Sequence, residues 1–276
     1  MLRLFMQEMR FRRNGIIGWG LGLCFFPVIY VGLYPSFADQ LPNFQEMMDI
    51  ALYQALGISM ASFEGYVAST VTNLIPVILA IYAVISGTGT LAGEEDDGRL
   101  ETIVALPIPR WQIVAVKATA LGLALALILA VAAAGAGLTL AAIGSQVDTA
   151  LTPPDLFWRL MEAWPLVLTF AMVSLFLGAF SPNRRTAAAL ATVLVVASYL
   201  GNNLAGMISS LERVKGLFLF NYFETTAEAL LNGQQPANLL ALMLAALAAL
   251  GLAIFFFQRR DITVGAWPWQ KGRVPA

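Results

Sequence analysis

The sequence predicts an all-α polytopic membrane protein with six transmembrane helices. Hydrophobic residues make up 59% of the 276 residues and charged residues only 12%, whereas an ordinary soluble chain is about one quarter charged. Apolar runs of about 20 residues recur along the chain, and an α-helix of that length crosses the ~30 Å hydrocarbon layer of a bilayer. Because no polar segment is long enough for a separate soluble domain, residues 1–276 are predicted to form one transmembrane domain.

The apolar runs define the spans and leave short amphipathic segments between them. The spans are predicted at about residues 15–34, 66–92, 113–142, 160–180, 186–208 and 238–257. Residues 1–13 combine basic residues with an apolar repeat, which fits either a helix lying in the membrane interface or a basic flank of the first span. An apolar repeat from Phe44 to Ala55 predicts a helix at the outer surface. A short helix is predicted from Phe220 to a stop at Asn232-Gly233.

The distribution of basic residues predicts the orientation in the membrane. With six spans, all but three of the 16 Lys and Arg residues fall on the side of the N-terminus. The exceptions are Arg159, Arg213 and Lys215. Because basic residues concentrate in cytoplasmic loops, both termini are predicted to be cytoplasmic.

Several functional classes conflict with the residue inventory. The chain has no histidine and one cysteine, which argues against Ser-His catalysis, a zinc centre or a disulfide. Cys24, within the first span, is interpreted as a packed thiol. Lys117 and Glu162 lie near span ends and are interpreted as interfacial side chains that reach water, so an ion-coupled carrier is disfavoured, although backbone carbonyls could still hold sodium. The sequence contains no stripe of basic residues with interleaved aromatic residues, so nothing in it indicates nucleic-acid binding.

The densest run of charge, residues 93–112, separates the second and third spans. Six charges fall between Glu94 and Glu101, and burying them in lipid would cost roughly 15 to 20 kcal/mol at about 3 kcal/mol each. An apolar repeat through Leu100 and Pro107 predicts a short amphipathic helix of about residues 94–106, with the acidic residues at its positive end. The alternative is a solvated loop. The chain has no Gly-x-x-x-x-Gly-Lys-Ser/Thr motif for ATP, so a partner would have to supply the energy for uphill transport.

This stretch resembles the loop after the second span in type 2 ATP-binding cassette (ABC) transporter permeases. The residues assigned to it are Glu94, Glu95, Gly98, Arg99, Leu100, Glu101, Leu106, Pro107 and Arg110, with Lys117 following. The likeness extends to the six-span layout, the basic N-terminal helix and the outer segment before the last span. It implies that the loop is a cytoplasmic coupling helix in a groove of a separately encoded ATPase, which binds ATP and Mg, while this chain holds no cofactor.

The resemblance also implies a bacterial inner-membrane exporter that pairs with a second permease, identical or different, among membrane lipids. Polar residues on the second and fifth spans are candidates for the pathway, or else for hydrogen bonds between helices. They are Asn73, Pro76, Tyr199, Asn202 and Asn203. The alternative function is a channel or ion-coupled carrier that needs no partner.

Overall fold

The computed structural model describes residues 1–38, 62–100, 107–208 and 210–259. These ranges contain helices and turns but no strand, and they include six helical segments long and apolar enough to cross a membrane. The predicted class and the number of spans are confirmed. The predicted helix at 44–55, residues 101–106 and the tail beyond 259 lie outside the described residues.

Eight α-helices in these ranges are numbered here in chain order. They are α1 (Leu2–Phe37), α2 (Phe63–Asp96), α3 (Arg110–Ile143), α4 (Pro153–Met161), α5 (Trp164–Phe180), α6 (Arg184–Met207), α7 (Ala227–Asn232) and α8 (Pro236–Arg259). The fourth span consists of α4 and α5, which are separated by a turn at residues 162–163, and the other spans are single helices.

Helix α1 shows that the N-terminal segment is not a separate element. The predicted N-terminal helix is present, but it continues without a break into the first span. At 1.5 Å per residue, its 36 residues extend about 54 Å, well beyond the ~30 Å hydrocarbon layer. Helix α1 packs along α3, where the Cys24 sulfur occupies the space that a Cβ on Gly135 would need. The interpretation of Cys24 as a packed thiol is therefore confirmed.

Helix α5 lies at the centre of the bundle, where it contacts α2, α3, α6 and α8. The crossing with α2 is very close: a Cβ added to Gly87 would lie 2.6 Å from Cβ of Ser174 and 2.9 Å from the carbonyl oxygen of Ala171. On the other side, the Thr169 hydroxyl donates a 2.9 Å hydrogen bond to the Leu242 carbonyl of α8. Gly87, in the second half of α2, thus faces another helix at close range.

Two turns of α2 are π-helical, at Ala68–Thr72 and Gly89–Gly93. Such turns are rare and occur frequently at functional sites. The second one packs against Arg184, at the start of α6. Positions for a Cβ on Gly89 and Gly93 lie 3.4 Å and 3.3 Å from atoms of the Arg184 side chain. Glycine at these two positions therefore leaves room for the arginine.

The end of the bundle far from the N-terminus is held by hydrogen bonds from loops. Glu64 accepts a 2.6 Å bond from the Thr149 hydroxyl. Glu162 accepts bonds from the Gln234 amide at 2.8 Å and from Arg159 at 3.0 Å. The Glu162 carboxylate, whose side chain is 23% exposed, therefore also joins the turn after α4 to the segment before α8.

The short helix before the last span is α7. Gly233 follows it with a φ of +92°, a conformation that glycine adopts without the steric cost of a side chain. The predicted stop at Asn232-Gly233 is confirmed. The predicted start at Phe220 is wrong: Leu219–Tyr222 forms a separate 3-10 turn and α7 begins at Ala227.

Candidate functional site at the basic end of the bundle

Four elements meet at one end of the bundle, here called the basic end. They are the N-terminal part of α1, the last turn of α2, the beginning of α3 and the turn between α5 and α6. The amide of Arg184, the first residue of α6 after that turn, donates a 3.3 Å hydrogen bond to Asp96 on α2. Two ion pairs of Lys117 and a hydrogen bond between Arg12 and Thr90 join α1, α2 and α3.

Lys117 of α3 is completely buried. Its ammonium nitrogen lies 2.5 Å from a carboxylate oxygen of Glu8 on α1 and 2.7 Å from one of Glu94 on α2. The two carboxylates are themselves only 11% and 16% exposed. The interpretation of Lys117 as an interfacial side chain reaching for water is therefore wrong. Its amine points into the protein, because two helices place acids against it.

Arg12 completes this cluster. One of its guanidinium nitrogens donates a 2.7 Å bond to the Thr90 hydroxyl of α2, and Nε lies 3.9 Å from Glu8. The residues Glu8, Arg12, Glu94 and Lys117, here called the charge cluster, carry two negative and two positive charges. An unpaired buried charge costs several kcal/mol, whereas a balanced group offsets most of that cost. The burial of Lys117 therefore depends on its neighbours keeping their charges.

The last turn of α2 contains the acidic residues. Glu94–Asp96 ends the helix, and the Gly98 amide bonds to the Glu95 carbonyl at 2.9 Å. Gly98 has a φ of +69°, the left-handed geometry of a glycine that terminates a helix. A start of the predicted amphipathic helix at Glu94 is therefore wrong. Acidic residues are unfavourable at a helix C-terminus, but Lys117 compensates Glu94.

The chain reverses after Gly98 and is tied back to the bundle. Residues 99 and 100 are again helical. Leu100 is 1% exposed, so its side chain anchors this segment in the core. Arg99 forms an ion pair with Asp97, and its guanidinium lies 5.1 Å from the ring centroid of Phe11 on α1.

The predicted coupling residues divide into an inward and an outward group. Glu95 and Leu100 are buried, and Glu94 and Arg110 are partly buried. Gly98, Arg99 and Pro107 are exposed, as are Asp96 and Asp97. Glu101 and Leu106 lie outside the described residues. The structure thus presents a short exposed segment, residues 96–99, between two buried anchors.

Substituting Gly98 with alanine is expected to loosen the end of α2. Because a left-handed conformation costs an L-residue about 1 to 2 kcal/mol, amides of residues 93–100 should exchange with deuterium roughly fivefold faster. Gly144→Ala is the matched control, since Gly144 has a φ of −55° and no atom near its Cβ position. Equal exchange in Gly98→Ala and the unsubstituted chain would contradict the role given to this glycine.

The candidate pathway residues come together only in part. The Tyr199 hydroxyl of α6 lies 3.5 Å from the Asn73 amide oxygen of α2, a long contact. Asn202 has a buried amide oxygen that finds no hydrogen-bond partner among the described residues. Pro76 is buried within α2 and Asn203 is half-buried. The structure therefore joins Asn73 to Tyr199.

Comparison with known families agrees with the fold. A family model described as ABC-2 family transporter protein matches residues 2–262. The chain belongs to the ABC-2 transporter family. No curated protein matches it closely enough to count as a relative. As an ABC-2 permease it is a membrane subunit of an ABC transporter, which confirms the resemblance seen in the sequence, and the family in general works with an ATP-binding cassette partner.

Proposed function

We propose that this ABC-2 permease forms the transmembrane part of an exporter driven by a separately encoded ATPase docked at the basic end. The observation that carries the proposal is the segment of residues 96–99, which is exposed to a partner yet continuous with α2. Leu100 is buried on one side of it, and on the other side Glu94 pairs with Lys117. A push on this segment would therefore move α2 and the helices joined to it.

The partner would bind through charge and through an apolar contact. Asp96, Asp97 and Arg99 offer exposed charges, and exposed Pro107 follows. Glu101 and Leu106 are proposed contacts from the resemblance. ATP and Mg would be held by the ATPase, and this chain would contribute no cofactor ligand.

The orientation follows from the location of the partner. An ATPase that uses cellular ATP is cytoplasmic, so the basic end and both termini would face the cytoplasm of a bacterium, across its inner membrane. The excess of basic residues at this end supports the same orientation. Transport direction is proposed as export, on the family resemblance.

A second permease, identical or different, would complete the pathway. Helix α6 shows large apolar side chains on its outer surface, and Val193 and Leu200 are 65% and 51% exposed. Lipid or a second permease can cover such a face. Asn73, Pro76, Tyr199, Asn202 and Asn203 remain the proposed pathway residues, on α2 and α6.

The proposal is tested by purifying the chain in mild detergent from its own host. An ATPase of about 25 to 35 kDa, the size of one such domain, should co-purify in a fixed ratio. Charge reversal by Asp97→Lys should lower that ratio, whereas the control Asp148→Lys, an exposed residue outside the basic end, should not. If no ATPase appears and the purified chain alone supports flux in liposomes, the protein is a channel or an ion-coupled carrier.

A further inference from the structure

The charge cluster lies next to the proposed docking segment, residues 96–99, and connects the end of α2 to α1 and α3. Lys117 is on α3 and pairs with Glu8 near the start of α1 and with Glu94 at the end of α2. We propose that Lys117 is a positioning residue that makes the basic ends of α1, α2 and α3 move as one body during the ATP cycle. This inference rests on the proposed function, since it concerns how the movement of the segment 96–99 is transmitted.

The burial of Lys117 is the first observation that supports movement of the three helices as one body. Lys117 has no exposed surface, so its ammonium group cannot replace a lost carboxylate with water. If the end of α2 slid past α1, Lys117 would keep only one of its two partners. A buried ion pair is strongly destabilised when one partner is removed. Sliding between these helices is therefore opposed more strongly than movement of all three together.

Two further contacts join the same helices independently of Lys117. Arg12 on α1 donates a hydrogen bond to Thr90 in the second π turn of α2. Arg99, beyond the end of α2, lies over the ring of Phe11. All these contacts use residues 8–12 of α1, which form one short stretch of the helix facing the end of α2.

Helix α1 can carry the movement across the membrane because it is continuous and closely packed on α3. Gly20 of α1 lies against Val131, with a Cβ position 3.6 Å from the valine side chain, and the Cys24 sulfur lies against Gly135. Helix α5 packs closely on both α8 and α2. The contacts of Lys117 therefore add the α1–α3 pair to the helices that would follow the docking segment.

The experiment measures whether α1 and α2 keep their separation through the cycle. In a Cys24→Ala background, which removes the only cysteine, spin labels are placed at Gln7 on α1 and Ile85 on α2, both exposed. Labelled chains are mixed with an excess of unlabelled chains, so that a pair carries labels on one permease only. Distances are measured by pulsed electron resonance without nucleotide and after trapping the co-purified ATPase with ADP and vanadate.

The chain with an unsubstituted charge cluster should give the same narrow distribution of label distances without nucleotide and after trapping. Lys117→Met should show a shift of about 5 Å, one helical turn, or a second population after trapping. Lys117→Arg should restore the single distribution. Lys215→Met, a lysine outside the basic end, should behave as the unsubstituted chain. A residue that only stabilises the fold would change the melting temperature without producing a nucleotide-dependent shift.

Two results would overturn the inference while leaving the proposed function intact. One is a shift of about 5 Å or more on trapping in the chain with Lys117 present, and the other is a Lys117→Met variant that matches it in both states. If Lys117→Met does not fold, the measurement on the chain with Lys117 decides alone. Failure of any ATPase to co-purify would instead refute the proposed function, and the inference with it.

Discussion

Substituting Leu100 with aspartate is expected to abolish co-purification of the ATPase with the permease. Leu100 is 1% exposed, and a carboxylate buried there without a partner would cost several kcal/mol. The chain would avoid that cost by releasing the segment after Gly98 from the core, and the segment 96–99 would lose one of its two anchors. A loss of about 3 kcal/mol in docking free energy lowers affinity roughly 100-fold. The ratio of ATPase to permease after purification measures the effect.

The control for this substitution is Leu100→Met, which keeps the volume and the apolar character of the side chain. Such exchanges usually cost less than about 1.5 kcal/mol, so the ATPase should co-purify in its normal ratio. Gel filtration must show that Leu100→Asp remains folded and monodisperse. An aspartate variant that is folded and still binds the ATPase in full ratio would show that this leucine does not hold the docking segment.

The second large effect is expected at the crossing of α2 and α5. Gly87→Ala should lower the temperature at which the purified protein unfolds, because the new Cβ would meet the Ala171 carbonyl oxygen at 2.9 Å and the Leu175 amide nitrogen at 3.2 Å. These are backbone atoms, so a helix has to shift. Overpacking of this kind typically costs about 1 to 3 kcal/mol, which exceeds the roughly 1 kcal/mol that alanine gains over glycine in a helix.

Gly18→Ala provides the matched control for Gly87→Ala. Gly18 lies in α1 and has no atom within 4 Å of its Cβ position, so only the gain in helix propensity applies. The unfolding temperature of Gly18→Ala should equal or exceed that of the unsubstituted protein. If Gly87→Ala unfolds at the same temperature as Gly18→Ala, the close crossing is not a source of stability.

Most of the fold could be predicted because the membrane acts on local sequence. A span must be apolar over a fixed length, and the fifth span, predicted at 186–208, is observed at Arg184–Met207. The continuity of α1 was harder to predict from the sequence. Basic residues such as Arg12 and Arg13 resemble the flank where a span ends, yet the helix has no reason to break there, since Arg12 and Glu8 find partners on neighbouring helices.

The motif of the candidate site lies in one segment, but its local structure was predicted only in part. The predicted helix of about 94–106 would pass through Gly98, whereas α2 ends there with a left-handed glycine, and Leu100 packs into the core of its own chain. The environment of Lys117 could not be read in this way. Its partners lie 109 and 23 residues away in sequence. Hydrophobic periodicity predicts which face of a helix is buried, but it does not predict which helix packs against that face. The helix dipole favours acidic residues at a helix start, and the sequence therefore predicts a start at Glu94. Lys117, which comes from α3, pairs with Glu94 and makes its position at a helix end acceptable.

The second π turn of α2 also sets the rotational phase of the helix. An ideal helix advances about 100° per residue, so the extra residue of a π turn changes which direction every later side chain faces. In α2 this allows Gly87 to face α5 while Glu94 faces Lys117. A helical wheel drawn with one constant angle through residues 63–96 would therefore misplace one of these two faces. Deleting a single residue within Gly89–Gly93 would keep the span and its composition but turn the acidic end of α2 away from its lysine.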